Sequence, residues 1–161
     1  MTISTTTIKS SYTGNGSTTA FTYQFKITAD TEVQVIVRTT ATWTESIRSI
    51  GVGSTDYAVT GVGGNSGTVT FVTAPLSTET VILRRSTSQT QAMDLIDNDP
   101  MSADTIETAH DKSIAISQEL QEQINRSLKI SRTNTMTSTE FVTSAADRAS
   151  KVLAFDSSGE L

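Results

Sequence analysis

The stretch Ser102-Ala-Asp-Thr-Ile-Glu-Thr-Ala-His-Asp-Lys-Ser-Ile-Ala-Ile-Ser-Gln-Glu-Leu-Gln-Glu-Gln-Ile-Asn-Arg-Ser-Leu128 decides how this chain is read. It follows an acidic breaker, Asp97-Asn98-Asp99-Pro100, and carries the start signals of a helix. Ser102 is placed to cap the first turn, Pro100 sits just outside it, and Asp104 and Glu107 suit the positive end of the helix dipole. Ile106, Ala109, Ile114, Ile116, Leu120, Ile124 and Leu128 are apolar, and Ile116, Leu120, Ile124 and Leu128 are each four apart, which places them on one stripe. Ser113, Ser117 and Gln123 interrupt a strict heptad. A helix of 27 residues spans about 40 Å and is marginal alone in water. It must lie across the rest of its own chain or meet copies of itself. Its length, an outer face expected to be acidic, and the polar tail beyond favour self-association through Ile106, Ile116, Leu120, Ile124 and Leu128.

Everything upstream reads as short strands. Asn15-Gly16 is a turn signal after Tyr12. Phe21, Tyr23 and Phe25 alternate within 20–25, and Val33, Val35 and Val37 alternate within 32–38. A weaker segment, Trp43 to Ile50, is broken by Gly51 and Gly53. Short strands follow at 56–60, at 68–72 with Val69 and Phe71 together, and at 80–84 with Val81 and Leu83 together; Gly61 to Gly67 forms a turn between the first two. Six or so strands separated by turn signals predict an antiparallel β-sandwich or a partly open barrel, followed by the one long helix. The division is a β-rich domain at 1–90, an acidic junction at 91–101, the helix at 102–130, and an extended polar tail at 131–161 that leads toward a further section.

Composition supports this reading. The chain has 161 residues, with 21 Ser and 30 Thr, residues that favour strands and turns. There is no Cys, so disulfide frameworks and thiolate metal sites are excluded. No apolar run approaches the roughly 20 residues of a membrane span. The N-terminus, Met1-Thr-Ile-Ser-Thr-Thr-Thr7, lacks the basic and apolar regions of a signal peptide, so assembly in a cytoplasm is expected. The net charge is −5; residues 1–88 hold 6 basic and 5 acidic side chains, residues 89–130 hold 3 and 8. An acidic middle with no basic stripe elsewhere argues against nucleic acid as a partner.

Signals for catalysis are weak. His110 is the one histidine, and reads more simply as a helix-face residue than as a base or ligand. No Gly-x-Ser-x-Gly elbow occurs, and Gly61 to Gly67 lacks the Lys-Ser or Lys-Thr end of a phosphate loop. Asp94, Asp97, Asp99 and Asp104 do not follow calcium-loop spacing and read as the approach to a capped helix. No catalytic, cofactor-binding or metal-binding residue is expected. Arg84-Arg85 closes the last strand, either as a docking point for an acidic neighbour or as solvated arginines at a sheet edge.

An ordered set of segments resembles a known family. Ser11-Tyr-Thr-Gly-Asn-Gly-Ser-Thr18, Phe21 with Phe25, Asp56-Tyr-Ala-Val-Thr-Gly61, Gly67-Thr-Val-Thr-Phe71 and Val81 through Arg85 resemble the N-terminal domain of tail fibre and tailspike proteins of short-tailed bacteriophages. Gln91, Asp94, Asn98-Asp99-Pro100, Glu107, Asp111-Lys112 and Gln118-Glu-Leu120 resemble that family's junction into a helix. The likeness covers about residues 10–130, and its ordered set is more specific than any one motif. It implies a virion-attachment module: a homotrimer with a coiled-coil-like helical bundle, docked to the adaptor and nozzle proteins of the tail. It also implies host attachment through a distal fibre section or further fibre protein, and no catalytic residue. The segment Val152 to Gly159 resembles the place where a next fibre section begins. Two other classes compete: a carbohydrate-binding β-module at a cell surface, and a glycan hydrolase. A missing signal peptide and loops poor in aromatics weigh against the first, and a lone Trp43 against the second.

Overall fold

The computed structural model describes residues 2–50, 56–91, 93 and 102–129, with 132, 133, 144, 146, 149–152 and 157 in the C-terminal stretch. The chain divides into two units, Met1–Arg126 and Ser127–Leu161. The described residues of the second carry turns at 132–133 and 149–150. Most of the acidic junction and of the polar tail lies outside the described residues.

The first unit holds seven strands and one helix: β1 Lys9–Thr13, β2 Ala20–Tyr23, β3 Val33–Thr39, β4 Glu45–Ile47, β5 Tyr57–Thr60, β6 Gly67–Phe71, β7 Glu79–Arg85 and α1 Ala103–Arg126. They form two antiparallel sheets, in the orders β1-β7-β3-β4 and β2-β6-β5. Both sheets are open, so of the two expected architectures the sandwich is the one adopted.

The period-2 pattern decides which side chains face inward. Val33, Val35 and Val37 of β3 and Val81 and Leu83 of β7 point from the four-stranded sheet into the core. Phe21 and Tyr23, Tyr57, and Val69 and Phe71 meet them from the other sheet. Phe21 and Phe71 pack edge-on with ring centroids 5.6 Å apart, a preferred aromatic geometry. Each such burial contributes about 1.5–3 kcal/mol. Phe25 and Ile27 are also fully buried, although β2 ends at Tyr23.

The hydroxyls of the two fully buried core tyrosines are partnered. The Tyr57 hydroxyl donates to the Val33 carbonyl at 3.0 Å, and so ties the two sheets together. The Tyr23 hydroxyl donates to the Thr60 carbonyl at 2.7 Å, beside Gly67. A Cβ on Gly67 would fall on that carbonyl and on the Tyr23 ring, so the position has room only for hydrogen. The Glu32 carboxylate accepts from the Thr28 N–H at 2.6 Å and the Thr28 hydroxyl at 2.9 Å, fixing the tight turn that launches β3.

Three expectations need revision. β1 was not among the expected strands. Lys-Ser-Ser-Tyr-Thr has no apolar alternation, and pairing with β7 along its whole length makes it a strand. Arg84 and Arg85 do not stand at a sheet edge, because β7 lies between β1 and β3. The helix ends at Arg126, so Leu128 lies beyond it.

Candidate functional site, an inside-out helix

Two polar contacts fasten α1 to the β-sandwich. At the end of β7 the alternation turns Arg85 inward, where it is 1% exposed. Its Nε donates to the Glu119 carboxylate at 3.0 Å. Its Nη2 donates to the Gln118 side-chain oxygen at 2.7 Å and to the Ala115 carbonyl at 3.1 Å. The Glu119 carboxylate also accepts from the Thr87 hydroxyl at 2.6 Å and from the Thr87 N–H at 3.1 Å.

The second contact lies two helical turns earlier. The Lys26 ammonium donates to the Asp111 carboxylate at 2.6 Å, and the Ile3 backbone N–H donates to the same carboxylate at 3.0 Å. Gln118 donates to the Thr5 carbonyl at 3.0 Å, so the N-terminal arm runs beside the helix between the two contacts. Burial raises the Asp111 pKa, but the Lys26 hydrogen bond, the Ile3 N–H and the Lys26 charge together outweigh it and hold the carboxyl below its ordinary value. Farther along, the Lys9 ammonium comes within 4.0 Å of Glu122. Glu122 is bonded at 2.7 Å by Arg126 one turn on, and that bond, with the nearby charges of Arg126, Arg84 and Lys9, lowers its pKa against the effect of burial.

Asp111, Ala115 and Glu119, spaced by four, are the buried residues of α1. The helix therefore docks through its polar side. At about 100° per residue, its seven charged residues (Asp104, Glu107, Asp111, Lys112, Glu119, Glu122, Arg126) all fall within an arc of roughly 140°. The acidic face expected to look outward is thus the face turned toward the sandwich. The opposite side presents Ile106, Ile116, Leu120 and Ile124 among Ser113, Ser117, Gln121 and Gln123, without a charge. Ile106 and Ile116 are half-buried; Leu120 is 46% and Ile124 51% exposed. Leu128, past the helix end, is 93% exposed. In a usual surface helix the apolar side faces the core; here the order is reversed.

The other candidates are placed apart. His110 is exposed on the helix, and Asp104 is exposed in its first turn. Asp94, Asp97 and Asp99 lie outside the described residues. Gly61 and Gly63 adopt positive φ, which accounts for the glycines of that turn without a ligand. Of the arginine pair, Arg85 is inside the unit and Arg84 half-buried on the outer face of its sheet. The partnerships of Lys26 with Asp111 and of Arg85 with Glu119 were not read from the sequence. The one signal available was the shared helical face of Asp111, Ala115 and Glu119. Among the described residues no group of His, Asp or Glu is assembled as a metal cage, and no helix is long and apolar enough to cross a membrane.

A folded unit that directs an uncharged apolar helix face outward has the chemistry of a protein that meets another protein surface. No family model matches the chain. It is 33% identical over 132 residues to the tail spike protein of Salmonella phage epsilon15, a match that covers 80% of this chain and 12% of that relative. The similarity is to a protein of a phage tail, of whose length this chain spans only a small part.

Proposed function

We propose that this chain is a structural protein of the virion, the part of a tail fibre that anchors the fibre to the tail and so supports host adsorption. It works as a homotrimer. The outward sides of three α1 helices meet around a common axis, with Ile106, Ile116, Leu120 and Ile124 in the seam. The β-sandwiches stand outside the seam and contact tail adaptor and nozzle proteins; a distal fibre section or a further fibre protein completes the fibre. The protein has no catalytic role in this reading.

The observation that carries the proposal is the reversed helix. Symmetric association brings identical side chains together, and like charges near an axis repel. The outward side of α1 has no charge to repel, while all seven charged residues are on the other side. The buried contacts of Arg85 and Lys26 hold the helix so that this side stays outward. The similarity to a tail spike protein supports the setting. An electron-microscopy reconstruction of the phage particle tests the proposal: it requires density for three copies of this chain at the tail. A particle whose tail carries none overturns it.

One observation favours a surface carbohydrate-binding module instead: Trp43 is 68% exposed. One face of its ring is covered by the Arg38 guanidinium, 4.3 Å from the centroid, which removes half of the stacking surface a sugar would use. A glycan array positive for the full chain, together with no binding to tails, would favour this second reading.

A further inference from the structure

The outer face of the four-stranded sheet carries an apolar row where a solvated sheet would alternate to polar. Ile82 of β7 pairs with Ile36 of β3, and Ile36 pairs with Ile47 of β4, so the three side chains stand abreast on one face. Ile47 is 66% exposed, and Ile36 and Ile82 are half-buried. On β1, Ser11 continues the row. Singly, exposed isoleucines need no explanation; three in register across adjacent strands form a patch.

Charges border the row on both sides. On one side Lys9 pairs with Arg84; on the other Arg38 pairs with Glu45. The helix adds Glu122 near Lys9 and Arg84, and Arg126 near Glu45. This border holds four cations and two carboxylates, in a chain whose net charge is −5. Its balance is therefore opposite in sign to that of the chain.

The geometry points to this face as the surface that docks on the tail, and to its occupant as a tail-protein surface with aliphatic side chains ringed by carboxylates. A second copy is a poorer match. Its outward helix side has no carboxylate to offer, because Asp111, Glu119 and Glu122 are engaged toward its own sandwich. The assignment also divides the arginine pair: Arg84 lies on the docking face, while Arg85 holds the helix. It rests on the virion-anchor reading above, and adds to it which surface makes the contact.

The test uses the full chain and phage tails purified from particles that lack it. Co-sedimentation is measured for the wild type, Ile47→Asp, Arg84→Glu, and Val62→Asp as a control on an exposed loop beyond the other sheet. Circular dichroism and light scattering on each variant report fold and oligomeric state. The expected result is about tenfold weaker binding for Ile47→Asp and for Arg84→Glu, with the control and the oligomer unchanged. If wild-type chain binds tails and Ile47→Asp binds equally, the face is wrong and the anchor reading stands. Dissociation of the oligomer by Ile47→Asp would assign the face to a second copy and overturn the docking assignment. If wild-type chain does not bind tails at all, it is the anchor reading that fails.

Discussion

The guanidinium of Arg85, the last residue of β7, meets the carboxylate of Glu119 at 3.0 Å inside the protein, and with the contact of Lys26 to Asp111 it joins the β-sandwich to the helix. Its energetics are asymmetric. An intact buried pair roughly balances its desolvation, whereas removal of one partner strands the other charge. Glu119→Ala should therefore cost about 3–5 kcal/mol, and lower Tm by roughly 10 °C or more. Thermal unfolding followed by circular dichroism measures it. The double variant Arg85→Met with Glu119→Leu should recover most of the loss; a double variant no better than the single would show that the pair is not coupled.

The second helix contact predicts a pH dependence with a definite sign. Asp111 is held below its ordinary value in the folded state, so its contribution is fully present above the unfolded value of about 3.9. That contribution is lost as pH falls from there through the depressed folded value. Wild type should thus be more stable than Asp111→Asn near neutral pH, and the gap should close below about pH 4. Tm measured from pH 7 to pH 2 checks this. A gap that stays constant across the range would remove Asp111 as its source.

Leu120→Asp with Ile124→Asp should separate assembly from folding. Both residues are half exposed within the unit, so the fold should survive with a change of about 1 kcal/mol or less. The oligomer should dissociate, because two carboxylates per copy would converge in the seam. Light scattering gives the mass and circular dichroism the fold. An oligomer that survives the double change places the seam elsewhere.

Gly67→Ala tests the packing between β5 and β6. The added methyl would overlap the Thr60 carbonyl oxygen, which is backbone, and the ring of Tyr23, which is fully buried. A loss of about 3 kcal/mol or more is expected, read from urea unfolding. A neutral result would mean that the strands shift to accept it.

The strands with alternating Phe, Tyr and Val were legible because burial on one face imposes a period of two. β1 was not, since Lys9-Ser-Ser-Tyr-Thr13 takes its shape from β7 rather than from its own apolar pattern. β7 itself was read, but its place in the middle of the sheet was not, because pairing between distant strands leaves no local mark. The helix was legible from its caps and stripe, and its orientation was misjudged. Charged residues were expected to face water. In the fold Asp111 and Glu119 find Lys26 and Arg85, residues 85 and 34 positions away along the chain, and these partners make the polar side the inner one. Arg85 was weighed as a surface residue for the same reason: its inward direction follows from strand register, and its partner lies on an element beyond the junction.

Sedimentation equilibrium of the full wild-type chain tests the central claim most directly. A helix whose charge-free apolar side is held outward should assemble three 17.2 kDa chains into one particle, so the fitted mass should be about 52 kDa at micromolar concentration and above. A mass that stays at 17.2 kDa up to the highest concentration reached would contradict it.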